Sequence, residues 1–348
     1  MAGATAMAGD GILVLNAGSS SIKLALFGPD GVERLSGRAE GRESGLAGAV
    51  AIKLGETRRT LASSGLDEVI AVLLAMLGEA GARPAAAAHR VVHGGPDLTQ
   101  PVVLTPASRA AIEAAVPLAP LHNPPALAVI DALAAAMPGL VQVACFDTAF
   151  HATLPAVART FALPRAVREA GVRRYGFHGL SYQWLAGRLP DLLGESAQGR
   201  VVAAHLGNGA SLCGLVGLKS RATTMGFTPL DGLVMGERPG LTDPGAVLFM
   251  VEEMGMSAEA VRDALFKRSG LLGLSGLSND MRTLLASDAA EARLALDVYV
   301  HRIVREIAAI AGEIGGADAL VFTGGVGENA AEIRRRVVQG LDWLGFSL

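Results

Sequence analysis

The sequence predicts an α/β protein built from two related halves, and three observations carry that expectation. The chain has 348 residues, a length that points to about two domains. Apolar runs that read as strands alternate with stretches of helical spacing. One pattern also occurs twice. "ILVLNAGSSSIKLALF" (12–27) and "VVAAHLGNGASLCGLV" (201–216) share the plan of strand, small-residue turn, strand. Aligning Gly18 with Gly207 separates the two by 189 residues, about half the chain. Two halves that each open on such a hairpin would face their turns across a cleft.

The elements follow in order. Gly11–Phe27 reads as a β-hairpin, and Leu66–Gly81 has helical apolar spacing. Ala85–Leu98 reads as a strand running into a Gly-Pro loop. A short helix follows, stopped by Pro117 and Pro120. "LHNPPALAVIDALAAAMPG" starts a helix at a double proline, with Asn123 as its expected cap. "LVQVACFDTAFH" is a buried strand ending in a polar tip. The pattern then begins again after Pro155, so the boundary is placed at 152/153, giving domains 1–152 and 153–348. In the second half a helix at Ser181–Leu189 precedes the strand pair Arg200–Gly217. Two helical stretches follow, the second long and amphipathic. Val321–Arg336 reads as strand, Gly-rich turn, helix.

Composition excludes several classes. Apolar residues make up 51% and mean hydropathy is +0.39, enough for large cores. The net charge of −3 carries no basic excess for nucleic acid or a membrane surface. The start lacks the basic and apolar regions of a signal peptide. The longest uncharged run, Val201–Leu218, carries Gly, Asn, Ser and His and reads as strand, turn, strand instead of a membrane span. Two cysteines, Cys145 and Cys213, offer neither a disulfide framework nor a zinc set, so a reducing, cytoplasmic setting is expected.

Glycine is frequent, 44 residues, and clustered in short motifs. In Asn16–Lys23, Gly and Ser expose backbone N–H groups and hydroxyls that suit phosphate oxygens. A plain hairpin tip reads as well from this segment alone. There is no Walker string. "HLGNG", His205–Gly209, would let backbone approach an anion closely. "FTGGVGEN" feeds a helix N-terminus, a reasonable nucleotide site and equally a tight βα turn. Six of the seven histidines (89, 93, 122, 151, 178 and 205) read as strand-end or loop residues, as if one site were assembled from many loops. His301 falls inside a long helical pattern. Arg90 and Arg238 sit in Gly-rich surroundings, where a guanidinium fork matches carboxylate or phosphoryl oxygens. Asp147 stands at a strand tip, able to orient an arginine or a hydrated cation, or simply to cap a turn.

Eight strings in order, "NAGSSSIK", "HRVVHGG", "PLAPLHNP", "FDTAFH", "RRYGFHG", "HLGNGAS", "TTMGFTPLDGLVMG" and "FTGGVGEN", resemble the signature blocks of the acetate kinase family of short-chain acyl kinases. The resemblance implies the actin, hexokinase and heat-shock ATPase superfold: two ribonuclease-H-like domains of mixed sheet plus helices around a nucleotide cleft. It implies reversible, Mg²⁺-dependent phosphoryl transfer from ATP to acetate, giving acetyl phosphate and ADP, with Mn²⁺ as an alternative metal. It implies a homodimer with small-molecule substrates, no nucleic acid and no membrane, and a place in acetyl-CoA biosynthesis. By position, Asn16 matches a magnesium-associated asparagine. Lys23, with Ser19 and Ser21 beside it, matches an ATP-contacting segment. Arg90 matches the substrate-binding arginine, Asp147 the essential aspartate, and His122 a further active-site histidine. His178 and Arg238 match the pair that stabilises the transition state. His205, Leu206, Gly207, Asn208 and Gly209 match the phosphate loop. Asp280, Met281 and Arg282 match the segment beside the nucleoside, and Gly325, Val326, Gly327, Glu328 and Asn329 the adenosine motif. Val92, Leu121, Phe177 and Pro229 match the lining of the acyl pocket, and valine at 92 matches the acetate enzymes.

The chain departs from the family pattern at three places. "GFHGLSY" carries Leu180 and Tyr182 where the family reads "GFHGTSH". "MGERPGLTDP" puts Glu237 beside Arg238, to pair with it or to point to solvent, and Leu241 where an acidic residue is usual. Family members also continue past "LDWLGFSL" with a strand, a magnesium-associated glutamate and a helix. The expected function is therefore acetate kinase. The alternatives are a propionate or broader acyl kinase, or a nucleotide-binding homologue with impaired turnover.

Overall fold

A computed structural model of the chain describes residues 11–18, 21–41, 48–62 and 65–347. It divides into two compact units between Ala149 and Phe150. The first contains β1 (Gly11–Ala17), β2 (Ser21–Phe27), β3 (Glu33–Gly41), β4 (Val50–Leu54), β5 (Thr57–Leu61), α1 (Leu66–Glu79), β6 (Pro84–Val91), β7 (Val102–Val103), α2 (Pro106–Ala114), α3 (Asn123–Ala136) and β8 (Val141–Phe146). The strands form one mixed sheet, ordered β5-β4-β3-β2-β1-β6-β8-β7. The β1/β6 and β6/β8 pairs are parallel; β1 and β2 are the expected antiparallel hairpin. Alternation in β1 buries Leu13 and Leu15, which meet Leu73 and Leu77 of α1 and Leu133 of α3 in one core.

The second unit contains α4 (Ala156–Arg159), α5 (Arg165–Glu169), α6 (Gly179–Leu193), β9 (Arg200–Leu206), β10 (Ala210–Val216), β11 (Lys219–Thr223), α7 (Pro244–Glu252), α8 (Ala258–Lys267), α9 (Gly270–Ser275), α10 (Met281–Leu285), α11 (Ala290–Glu313), β12 (Ala319–Thr323), α12 (Gly324–Asn329) and α13 (Ala331–Gln339). Its sheet runs β11-β10-β9-β12, with β12 parallel to β9. This repeats the β3-β2-β1-β6 part of the first sheet. The sequence echo between the two hairpins is therefore a topological one. Tyr182, Leu185 and Leu189 of α6 pack on Val201, Ala203, Cys213 and Leu215 of the sheet. No helix among the described residues is long and apolar enough to cross a membrane.

Two local expectations are corrected. Asn123 is not the cap of α3. His122 holds that position, and Asn123 is already helical. The fully buried Asn123 amide accepts from the His93 amide at 3.1 Å and donates to the His93 carbonyl at 2.9 Å. A buried amide must satisfy both ends, and the loop after β6 does so where the helix start could satisfy only one. Second, "GGVGEN" is not a turn, because its residues are themselves helical as α12. Gly324 reverses the chain in one step at φ +82°, and a Cβ there would lie 2.7 Å from the Leu206 carbonyl. Arg334 then closes the short helix by donating to the carbonyls of Gly327 and Glu328 at 2.8 and 2.7 Å.

Candidate functional site

In the first unit, sheet register builds the charged cluster. Asn16 and Arg90 are partners in the parallel β1/β6 ladder. Asp147, just past β8, continues the pairing by donating its amide to the Val91 carbonyl at 3.1 Å. The Arg90 guanidinium grips the Asp147 carboxylate through Nε (3.1 and 3.2 Å) and Nη2 (2.5 Å), and donates from Nη1 to Asn16 Oδ1 at 3.0 Å. Asp147 is 2% exposed. Burial opposes the arginine's charge, but the carboxylate outweighs it and holds the Arg90 pKa above its ordinary value. Asp147 is thus an orienting partner for Arg90.

Asn16 Oδ1 and the Asp147 carboxylate are hard oxygen donors on one guanidinium. Among the described residues no three His, Cys, Asp or Glu side chains form a cage. A sparse oxygen set fits Mg²⁺, which keeps waters and substrate phosphates as most of its ligands. Lys23 is exposed, opposite Asn16 in the hairpin register. Ser21 opens β2, whereas Ser19 lies outside the described residues. Val92 is buried just after β6, and Leu121 is 39% exposed beside the half-buried His122.

In the second unit, a tight group forms around Gly209. A Cβ on that glycine would stand 2.7 Å from Arg238 Nη2 and 3.2 Å from His178 Nε2. The small residue is what admits both side chains to one spot. Arg238 is anchored by donating Nη1 to the Pro229 carbonyl at 2.8 Å. His178 holds a left-handed conformation (φ 58°) at the N-cap of α6. Its ring lies 4.4 Å from that of His205 at 32°. Glu237 accepts from Asn279 Nδ2 at 3.1 Å. Phe177 and Pro229 are buried.

A cavity of about 760 Å³ lies alongside, a volume in the range of small-molecule sites. Gly207, Asn208, Asp280, Met281, Arg282, Gly325, Val326 and Asn329 all line it, so three separate sequence motifs meet there. The Asp280 side chain caps α10 and pairs with Arg282 at 2.6 Å, which holds its carboxyl down to about 2. Gly327 and Glu328 do not line this cavity; they face a groove along β12, because α12 is helical and turns them away. The sequence reading missed Tyr299. This residue of α11 lines the cavity, is 1% exposed, and its hydroxyl has no hydrogen-bond partner among the described residues. Burial raises its pKa, so it stays a neutral hydroxyl.

Two of the six histidines lie in cores and not in site loops. His89 lies within β6, buried, with Nε2 2.6 Å from Gln142 Oε1, and desolvation pushes its pKa down to about 4. His151 is also buried, bonded to Ser220 Oγ and the Phe177 carbonyl. Both satisfy core polar groups. His301 is exposed on α11.

A model of the acetokinase family matches residues 11–348. The chain belongs to the acetokinase family. It is 52% identical to an acetate kinase of Rhodopseudomonas palustris (strain TIE-1), over 97% of this chain and 88% of that protein. It is 47% identical to an acetate kinase of Nitrobacter hamburgensis, over 97% and 86%. Among solved structures, a propionate kinase from Francisella tularensis superposes with a TM-score of 0.90 at 38% identity, over 96% of this chain and 88% of that one. An acetate kinase from Porphyromonas gingivalis gives 0.88 at 36%, over 97% and 88%. The resemblance expected from the eight motifs is borne out, as are the fold and the enzyme class of the family. A homologue without turnover is not favoured.

Proposed function

We propose that this chain is an acetate kinase that transfers a phosphoryl group reversibly between ATP and acetate, giving acetyl phosphate and ADP. The observation that carries the reading is the convergence of His178 and Arg238 on Gly209 of the HLGNG turn, within a unit whose cavity gathers the nucleoside motifs.

The residues then take the following roles. Arg90, held in orientation by Asp147 and Asn16, binds the carboxylate of acetate with its fork. A carboxylate is already ionised at neutral pH, so the nucleophile needs no general base. In-line attack rests on positioning and charge neutralisation. Asp147 therefore serves through Arg90 and moves no proton. Arg238 and His178 donate to the phosphoryl oxygens as charge spreads over them. The amides of Gly207–Gly209 and the side chain of Lys23 hold the ATP phosphates. When bound, Mg²⁺ neutralises charge on the phosphates, with Asn16 and Asp147 as the protein's oxygen donors. The cavity takes the nucleoside.

Val92 and Leu121 in the first unit and Phe177 and Pro229 in the second match the lining of the family's acyl pocket. One methylene discriminates by about 1–3 kcal/mol, so propionate is a poorer but real substrate. Hydroxamate trapping of acyl phosphate, with acetate and propionate in parallel, tests this order. A higher kcat/KM for propionate overturns it. In the same assay Arg238→Ala is expected to lower turnover by about 10³ to 10⁵, and a loss under tenfold removes the arginine from the mechanism.

Two free cysteines, one buried and one partly so, support a reducing, cytoplasmic setting. A homodimer is supported by α7, which leaves Leu248, Phe249 and Val251 exposed, with Met254 just beyond it.

A further inference from the structure

We propose that Tyr182 and Ser211 form a hydroxyl relay that fixes the tautomer and ring orientation of His178, keeping its proton on Nε2. The inference rests on the reading of His178 as a phosphoryl-facing donor. It concerns a tyrosine that stands where the family pattern has histidine.

The geometry is a closed loop. The Tyr182 amide donates to the His178 carbonyl at 3.1 Å, the first bond of α6. One turn's reach away, the Tyr182 hydroxyl lies 2.6 Å from Ser211 Oγ, and Ser211 Oγ lies 2.9 Å from His178 Nδ1. One residue thus holds the backbone of His178 directly and its ring through one intermediary. That hold matters because a non-glycine residue in the left-handed region costs about 1–2 kcal/mol and persists only when its surroundings impose it.

Proton counting sets the polarity. Tyr182 and Ser211 are both 0% exposed, so neither hydroxyl can turn to water. Burial holds the phenol well above its ordinary pKa, and it stays protonated. The hydroxyl oxygen within hydrogen-bond reach of the phenol is Ser211 Oγ, at 2.6 Å. The phenol proton therefore goes to Ser211 Oγ. The serine proton then goes to His178 Nδ1, which must be bare. The ring is neutral, with its proton on Nε2, the atom that faces Gly209. The reverse polarity would strand the buried Tyr182 proton without an acceptor, and a stranded buried donor costs about 1–3 kcal/mol. Beside this relay, Ser181 Oγ holds His205 Nδ1 at 2.9 Å, so each of the two neighbouring imidazoles is held by a serine. Tyr182 is a positioning residue: it touches neither substrate nor reacting atoms.

The test uses the full chain with ¹⁵N-labelled histidine. In the parent protein the His178 signals should report the Nε2–H tautomer. In Tyr182→Phe, which keeps the ring and removes only the hydroxyl, they should report a mixture. The same variant should lose about tenfold in kcat, the worth of one hydrogen bond, with KM for acetate and ATP changed less than twofold. Ser211→Ala should lose a similar factor, and the double variant should lose no more than either single one. Unchanged His178 signals in Tyr182→Phe overturn the relay even if the enzyme is active, and so do additive losses. Shifted signals in a protein that makes no acetyl phosphate would uphold the relay and overturn the functional reading.

Discussion

Adding a single methyl group at Gly209 separates fold from chemistry. Its φ is one that L residues adopt, so Gly209→Ala imposes no backbone strain. The new Cβ would sit 2.7 Å from Arg238 Nη2 and 3.2 Å from His178 Nε2, against an ordinary contact limit near 3.4 Å. The guanidinium must retreat by roughly 0.7 Å and the imidazole by a few tenths of an ångström, for contact to be no closer than usual. The Arg238 end is the tip of a flexible side chain, so the retreat costs the fold little. For catalysis, a misplacement of about 1 Å at a positioned group can cost on the order of 10²-fold. We therefore expect kcat for acetyl phosphate formation to fall between about 10- and 100-fold. The thermal midpoint should stay within about 2 °C, equivalent to about 1.5 kcal/mol for a chain of this size. Steady-state kinetics and a melting curve on the same preparation read both. A kcat within threefold of the parent would refute the idea that Arg238 and His178 act from this spot. A large fall in melting temperature would refute the separation of fold from chemistry.

Other outcomes follow from the same geometry. His89 has a folded pKa near 4 against 6.5 unfolded, so the unfolded chain takes the proton first. Stability should be intact above pH 6.5 and fall by up to about 3 kcal/mol as pH drops toward 4, measured by urea unfolding; a flat profile would contradict the buried neutral ring. Tyr299→Phe should raise KM for ATP about fivefold if its partnerless hydroxyl meets the nucleoside. An unchanged KM with a higher melting temperature would mean that the hydroxyl is only a buried cost. Replacing Leu248 and Phe249 by glutamate should leave a monomer by light scattering, and a persisting dimer would place the interface elsewhere.

Much of this was legible in the sequence because the chemistry sits in contiguous strings at strand ends. "HLGNG", "NDMR" and Gly325–Asn329 could each be named as nucleotide segments, and parts of all three do share a cavity. The Gly18/Gly207 echo anticipated the repeated sheet order. What stayed hidden depends on long-range partners. Asn123 next to two prolines has the pattern of a helix cap, and only the fold brings the His93 backbone to its amide. His89 lies near a glycine-rich loop in sequence, yet β6 carries it into the core against Gln142. Tyr299 occupies a core-facing position of an amphipathic helix, where periodicity is the same whether its hydroxyl is used or idle. Tyr182 read only as a departure from the family pattern, because nothing local indicates that Ser211, 29 positions on, completes its hydrogen bond.

The repeated sheet order has a practical consequence for anyone altering this chain. In both units the candidate site residues gather at the carboxyl ends of strands: Asn16 on β1, Arg90 on β6, Asp147 after β8, His205 on β9 and Gly325 after β12. The opposite end of the first sheet holds the short turn from Gly28 to Val32, closed by two backbone bonds, Gly28 N–H to the Val32 carbonyl at 3.0 Å and Gly31 N–H to the Gly28 carbonyl at 2.9 Å, with Val32 half exposed. Extra residues spliced there lengthen a loop on the far rim, at a small entropic cost that grows only with the logarithm of their number. A fluorescent reporter or an affinity handle belongs at that rim, where it leaves the phosphoryl chemistry untouched.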